Sequence, residues 1–264
     1  MDFKNKIVWI TGASSGIGEA LVYSLNQAGA KLIISARNRD ALYKVKSNCK
    51  RNIIDIHVLP LDLNQTKTLF AKGEEALKIF GSIDYLIHCG GISQRAKAID
   101  TQLEVDELIM NTNYLGTVAL TKSVLPSMLK QGKGHFVVIS SLVGKFGTPL
   151  RSAYAASKHA LHGFFDSLRA ELETEGINIT IICPGFIKTE VTLHALTGDA
   201  SPQNKMDDAQ ANGMDPNICA SKILAAVTAN KREVYIGGKE KYGVLLKRFF
   251  PGLFARIIKK VKVI

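Results

Sequence analysis

Seven short runs of apolar, mostly β-branched residues alternate with longer stretches whose apolar residues recur at helical spacing. This alternation restricts the chain more than any other feature. The first run is Lys6-Ile-Val-Trp-Ile-Thr11. Five more follow at residues 30–36, 53–59, 83–88, 134–140 and 177–182, and a short seventh lies at 232–237. Strands that are apolar on both faces belong in a sheet covered on both sides, and intervening helices provide the crossovers of a parallel sheet. The alternation therefore predicts a doubly wound α/β fold of Rossmann type: one domain, about seven parallel strands, helices on both faces. In such sheets ligands bind beyond the carboxyl ends of the strands. Gly12, Asp62, Gly91, Ser141 and Pro184 all fall at or just after these ends.

The first strand runs into Thr11-Gly-Ala-Ser-Ser-Gly-Ile-Gly18 and then into a helical pattern through Leu21, Val22 and Leu25. Glycines in a turn between strand and helix let the backbone approach a pyrophosphate, and the helix start offers free N–H groups to it. After the second strand comes Ser35-Ala-Arg-Asn-Arg39, with no carboxylate before Asp40. A carboxylate there would hold the 2′-hydroxyl of NAD, whereas a guanidinium suits a 2′-phosphate. NADP is therefore favoured, with Arg37 as its contact. Arg39 reads equally well as the solvated opening of a helix. Asn64 is the expected N-cap of the helix that runs to about Phe80, and residues 101–131 read as helical.

Farther along, Ser152-Ala-Tyr-Ala-Ala-Ser-Lys158 opens an apolar pattern at Leu161, Phe164, Phe165, Leu168 and Leu172. Positions i and i+4 share a helix face, so Tyr154 and Lys158 can reach one reaction centre. A neighbouring cation favours a phenolate and makes a tyrosine usable as an acid or base. Taken alone, a Tyr-x-x-x-Lys pair is also the commonplace surface pair of many helices.

With these motifs in one order, the chain resembles a short-chain dehydrogenase/reductase over about residues 5–238. Thr11–Gly18 has the family's Thr-Gly-x-x-x-Gly-x-Gly spacing, Thr112-Asn-Tyr-Leu-Gly116 resembles the segment with its catalytic Asn, and Cys183-Pro-Gly-Phe-Ile-Lys-Thr189 its Pro-Gly segment. The resemblance implies a catalytic set of Asn113, Ser141, Tyr154 and Lys158, with Asn111 a decoy for Asn113. It implies cofactor contacts at Gly12, Ser14, Ser15, Gly16, Ile17, Gly18, Arg37, Asp62, Leu63, Gly90, Tyr154, Lys158, Pro184, Gly185, Ile187 and Thr189. The implied reaction is NADP(H)-dependent interconversion of a carbonyl and an alcohol. Tyr154 is the acid or base, Ser141 stabilises the substrate oxygen, and Lys158 and Asn113 form a proton relay. A 3-oxoacyl-carrier-protein-type reductase and a non-catalytic NADP-sensing protein on the same fold are the alternatives. One departure stands out: His88-Cys-Gly-Gly91 replaces the family's Asn-Asn-Ala-Gly, which removes an amide that ties neighbouring strands. His88 is expected to be a core histidine with its hydrogen bonds satisfied, and His159 and His162 to be structural.

Leu142, Val143, Phe146, Leu150, Phe186, Leu193 and Leu196 are the expected walls of a largely apolar substrate pocket, closed by a mobile loop at about 186–215. A hydrophobic ketone, aldehyde or alcohol suits such walls.

The net charge of +11 is concentrated at the end of the chain: Lys231 to Ile264 holds ten Lys/Arg against two acids. Residues 1–240 are read as the catalytic domain and 241–264 as a basic amphipathic extension that Pro251 divides in two. Such a segment lies on an anionic membrane surface, packs on its own domain or a partner subunit, or meets an acidic carrier. The tail-confined charge and the absence of a reading motif argue against nucleic acid. By resemblance, subunits pair into a homodimer or homotetramer through the Asn113 and Tyr154 helices. The four cysteines are far apart and form no Cys-x-x-Cys, so no metal site is expected. No run reads as a signal peptide or a spanning helix, and the expected location is cytoplasmic, with or without peripheral membrane contact.

Overall fold

A computed structural model describes residues 3–259; Lys260 and Lys262 of the basic tail lie outside that range. The strands are β1 (Ile7–Thr11), β2 (Lys31–Ser35), β3 (Ile56–Val58), β4 (Tyr85–His88), β5 (Gly134–Ile139), β6 (Ile177–Pro184) and β7 (Glu233–Ile236). They form one parallel sheet in the order β3-β2-β1-β4-β5-β6-β7.

The helices are α1 (Gly16–Gln27), α2 (Arg39–Ser47), α3 (Thr66–Phe80), α4 (Leu103–Met110), α5 (Gly116–Gln131), α6 (Ser152–Glu171), α7 (Asp208–Ala211), α8 (Pro216–Thr228), α9 (Tyr242–Phe249) and α10 (Pro251–Ile258). Strand alternation assigns them to two layers. Trp9, Ile33, Phe136 and Val138 face one core with α3, α5 and α6. Val8, Ile10, Leu32, Ile34 and Val137 face the other, with α1, α2 and α8. Both layers are buried, which is why the strands carry apolar residues at nearly every position.

The chain leaves β1 toward β2 and β3, then returns to β4 on the other side of β1. This reversal opens a crevice beyond the ends of β1 and β4, the ligand position of doubly wound sheets. Gly12 lies there at φ +64°, and a Cβ on it would stand 2.7 Å from the Gly90 Cα. A Cβ on Gly18 would stand 2.1 Å from the Gly12 carbonyl oxygen. Side chains at either position would push the turn out of shape.

Two local expectations are corrected and a third is refined. The third strand is shorter than 53–59: Ile53–Asp55 forms a 3-10 turn after left-handed Asn52, and Ile54 stays exposed at the sheet edge. Only Ile56–Val58 finds ladder partners on β2. Asn64 does not cap α3: the helix starts at Thr66, which puts Gln65 in the cap position, while the Asn64 N–H donates to the Asp62 carboxylate at 3.0 Å in the preceding turn. The helical stretch 101–131 is divided by a π turn over Asn111–Leu115, with Asn113 at its centre. Among the described residues no helix is long and apolar enough to cross a membrane.

Candidate active site

One cavity of about 1180 Å³ runs from the glycine turn along the carboxyl ends of the strands to the C-terminal helices. Its inner end is lined by Gly12, Ser14, Ser15, Gly16, Ile17 and Gly18, with Arg37, Asp62, Leu63 and Gly90 beside them. Ser15 is the N-cap of α1 but makes no side-chain cap, so the first N–H groups of that helix face the cavity without an intrahelical partner. An uncapped helix start behind a glycine turn is a diphosphate cradle. A nicotinamide dinucleotide fits these residues. Exposed Arg37 lines the cavity. Arg39 instead begins α2 and lies over the Tyr43 ring at 5.4 Å.

The β1–β4 junction is held through Thr11. The Thr11 hydroxyl accepts the N–H groups of Cys89 and Gly90, each at 3.2 Å, and so ties the end of β4 to β1. Beyond it, the Asn113 amide clamps Ile92 from both sides: its oxygen accepts the Ile92 N–H at 2.8 Å and its nitrogen donates to the Ile92 carbonyl at 2.9 Å. The same nitrogen donates to the Ser157 hydroxyl at 3.0 Å. The π turn sets Asn113 facing both the Gly90–Ile92 loop and α6. Asn111 makes neither contact.

Tyr154 and Lys158 both line the cavity on α6, and the Lys158 Nζ stands 5.8 Å from the Tyr154 ring centre. Lys158 is buried, and its ammonium donates to the Ile139 carbonyl at 2.8 Å. Ser141, at the end of β5, also lines the cavity, and its hydroxyl accepts the Val143 N–H at 3.3 Å. Pro184, Gly185, Ile187 and Thr189 form the opposite wall.

Several residues that shape this site are not apparent in the sequence. Gln94 is fully buried, and its side-chain oxygen accepts the Ala153 N–H at 2.9 Å. It thereby satisfies the start of the helix that carries Tyr154, where Arg151 provides no cap of its own. Arg95 pairs with Asp207 at 2.6 Å, with both side chains almost completely buried. Asp207 also meets Arg151 at 3.4 Å. Burial and the neighbouring Arg95 hold the Arg151 guanidinium below its usual range. The Gln210 side chain donates to the Ile187 carbonyl and, at 3.1 Å, to the Thr189 hydroxyl. The Gln210 contacts close the 186–215 loop on itself, while the Leu196 N–H bonded to the Ser93 carbonyl at 2.9 Å and the Arg95–Asp207 pair pin it to the domain. In the sequence, Ser93-Gln-Arg95 is simply a polar loop; only packing reveals that all three are buried.

The apolar wall includes Leu142, Val143, Phe146, Phe186 and Leu196. Leu150 and Leu193 are not part of it: Leu150 sits in a left-handed turn whose carbonyl accepts the Ala96 N–H, and the Leu193 carbonyl ties to Asn204. Their place is taken by the last two helices, which add Leu245, Phe249, Phe250 and Ile257. Phe254 packs on Phe146 with ring centres 5.1 Å apart, and Lys247 donates to the Lys145 carbonyl at 3.1 Å.

The histidines differ from one another. His88 is buried with Nε2 at 2.9 Å from the Thr121 hydroxyl, but its Nδ1 has no partner, so only half of the expected satisfaction is met. Burial pushes its pKa down to about 3. His159 contacts the Ala155 carbonyl through Nδ1. His162, Cys183 and Glu233 bring ligand atoms within 4.8 Å of one another. The imidazole divides its two nitrogens, with Nδ1 toward Glu233 and Nε2 toward Ser140 and Cys183, so the three do not present lone pairs to one point.

The short-chain dehydrogenase family model matches residues 6–199. A dehydrogenase/reductase SDR family protein 7-like chain of Anopheles gambiae is 43% identical over 265 residues, covering 97% of this chain and 82% of that protein. Among solved structures, a short-chain dehydrogenase/reductase from Burkholderia phymatum in complex with NAD superposes with a TM-score of 0.82 at 20% identity, covering 96% of each chain. An alcohol dehydrogenase from Thermococcus sibiricus complexed with 5-hydroxy-NADP gives 0.75 at 21% identity, covering 89% of this chain and 97% of that one. The structural likenesses speak for the fold. The family match over most of the length, together with the close relative, shows that the chain belongs to the short-chain dehydrogenase/reductase family of oxidoreductases.

Proposed function

We propose that the chain is an NADP(H)-dependent oxidoreductase that interconverts a carbonyl and an alcohol on a small hydrophobic substrate. One observation carries the reading: a single cavity is lined by Arg37 and the glycine turn at one end, Ser141, Tyr154 and Lys158 in the middle, and apolar side chains at the other. The choice of NADP rests on Arg37 and on the lack of a carboxylate at the end of β2. Gly12, Ser14 to Gly18, Asp62, Leu63, Gly90, Pro184, Gly185, Ile187 and Thr189, with Tyr154 and Lys158, would hold the cofactor, which supplies the hydride chemistry when bound.

The protein's part is to orient the substrate and move a proton. Ser141 donates its hydroxyl hydrogen to the substrate oxygen and stabilises the charge that develops there. Tyr154 gives that oxygen a proton in reduction and takes one in oxidation. Lys158 places a positive charge beside the phenol. The Asn113 side chain is committed to Ile92 and Ser157 and its main-chain carbonyl accepts the Thr117 hydroxyl at 3.0 Å, so its share in a proton relay is through a carbonyl that keeps one further lone pair. The last two helices complete the apolar end of the cavity, which favours a lipophilic carbonyl over a sugar. Leu103 and Leu115 are exposed on and just after α4, which suits pairing of subunits through this region as a homodimer or homotetramer. The four cysteines are free thiols, as suits a reducing compartment such as the cytoplasm.

Consumption of NADPH and of NADH across a panel of aliphatic, aromatic and lipid-derived carbonyls tests the proposal. The expected result is NADPH-preferring turnover that Tyr154→Phe removes, with cofactor binding kept. Near-normal turnover by that variant would refute the assignment.

A further inference from the structure

The two C-terminal helices are apolar on both sides: one side packs on the core, and the other walls the cavity while staying open to solvent. Phe254, Val244, Leu246 and Ile258 pack inward on the core. Leu245, Phe249, Phe250, Leu253 and Ile257 are between 45% and 65% exposed, close together on one short helical hairpin. A surface helix keeps one apolar face for its core, and a second contiguous one marks a surface that something else covers.

The charges say what covers it. Arg248 on α9, Arg256 on α10 and Lys259 just after it are exposed and adjoin these side chains in the sequence. The two acids of the 231–264 segment are both engaged. Glu233 pairs with Lys145 at 2.6 Å, and Glu240 accepts the Gly238 N–H at 2.9 Å and the Phe186 N–H at 3.3 Å. The hairpin therefore presents an apolar centre within a cationic surround. A second copy placed face to face would bring two cationic surrounds together. An anionic bilayer offers the complement: acyl chains for the aromatic and aliphatic residues, headgroups for the Arg and Lys.

We propose that the α9–α10 hairpin docks the protein on an anionic lipid surface with the mouth of the cavity against the bilayer. Leu245, Phe249, Phe250 and Ile257 belong both to the exposed patch and to the cavity lining. The docked face and the mouth are thus one surface, and a lipophilic carbonyl passes from the acyl layer toward Tyr154 without crossing water. This last step rests on the function proposed above; the docking does not.

Flotation of the full chain with vesicles of phosphatidylcholine, alone or with a minority of phosphatidylglycerol, tests the docking. Two variants outside the cavity lining are informative: Leu253→Asp, and the pair Arg248→Glu with Arg256→Glu. The wild type is expected to float with the anionic vesicles only and to be released by salt. Each variant is expected to lower vesicle affinity by about tenfold or more, with the melting temperature and turnover of a short water-soluble carbonyl kept. Three results would overturn the proposal: no flotation with anionic vesicles, wild-type flotation by both variants, or sedimentation showing that the variants split a dimer while nothing floats. Loss of NADPH preference or of Tyr154 dependence would sink the enzymatic reading and leave flotation unchanged.

Discussion

Replacing Asp207 with Asn tests how the substrate loop is held. The Arg95–Asp207 pair is 2.6 Å long, and both side chains are at most 2% exposed. Asparagine preserves the shape and removes the charge, which leaves two guanidiniums, Arg95 and Arg151, buried beside each other. Breaking a buried pair by neutralising one partner costs about 3–5 kcal/mol. If that cost falls on the whole fold, a chain of this size loses about 6–20 °C of melting temperature. If the loop alone lets go, the cost appears at the active site, because Ile187, Thr189 and Leu196 line the cavity from this loop. KM then rises steeply while the melting temperature moves little. Scanning calorimetry and steady-state kinetics on the same preparation separate the two outcomes. The double variant Arg95→Met/Asp207→Leu is expected to recover part of the loss, since it leaves one unpaired guanidinium, Arg151, instead of two. An Asp207→Asn protein with unchanged melting temperature and unchanged KM would show that the pair neither holds the loop nor supports the fold.

Two further outcomes are expected. Changing Arg37 to Asp should weaken NADPH binding by about tenfold to a hundredfold, the value of a hydrogen bond to a charged group, and move preference toward NADH; an unchanged NADPH/NADH ratio in competition kinetics would remove Arg37 from the cofactor site. For His88, burial lowers the folded pKa to about 3, so the unfolded chain binds the proton first as pH falls. Its contribution to stability is complete above about 6.5 and is lost progressively toward pH 3; urea midpoints between pH 7.5 and 4.5 should fall less steeply for His88→Asn than for the wild type, and parallel slopes would place the titration elsewhere.

The relation between sequence and structure differs from element to element. The fold was legible because both faces of the sheet are buried, and so each strand shows itself as an apolar run whatever its neighbours are. The glycine turn was legible for a similar reason: most of its demand is local, left-handed Gly12 and Gly16 and the close approach of Gly18 to the Gly12 carbonyl within seven positions. Tyr154 and Lys158 were legible as a pair because helix geometry alone sets i against i+4. Asn64 and Ile53 misled because turn chemistry and edge position decided them, and neither leaves a distinct local pattern.

By itself the sequence determined the order of elements, the nucleotide turn, and the helix that brings a phenol and an ammonium together. Only the tertiary structure decided that Gln94 receives the start of that helix, that Arg95 and Asp207 close a buried pair 112 residues apart in the chain, and that the basic tail folds back to wall the cavity. The physical reason is the range of the interactions. Helix spacing, strand alternation and backbone sterics act between neighbours and are written in short stretches. Burial of a polar side chain depends on what comes to cover it, and here the cover comes from residues far away in the sequence.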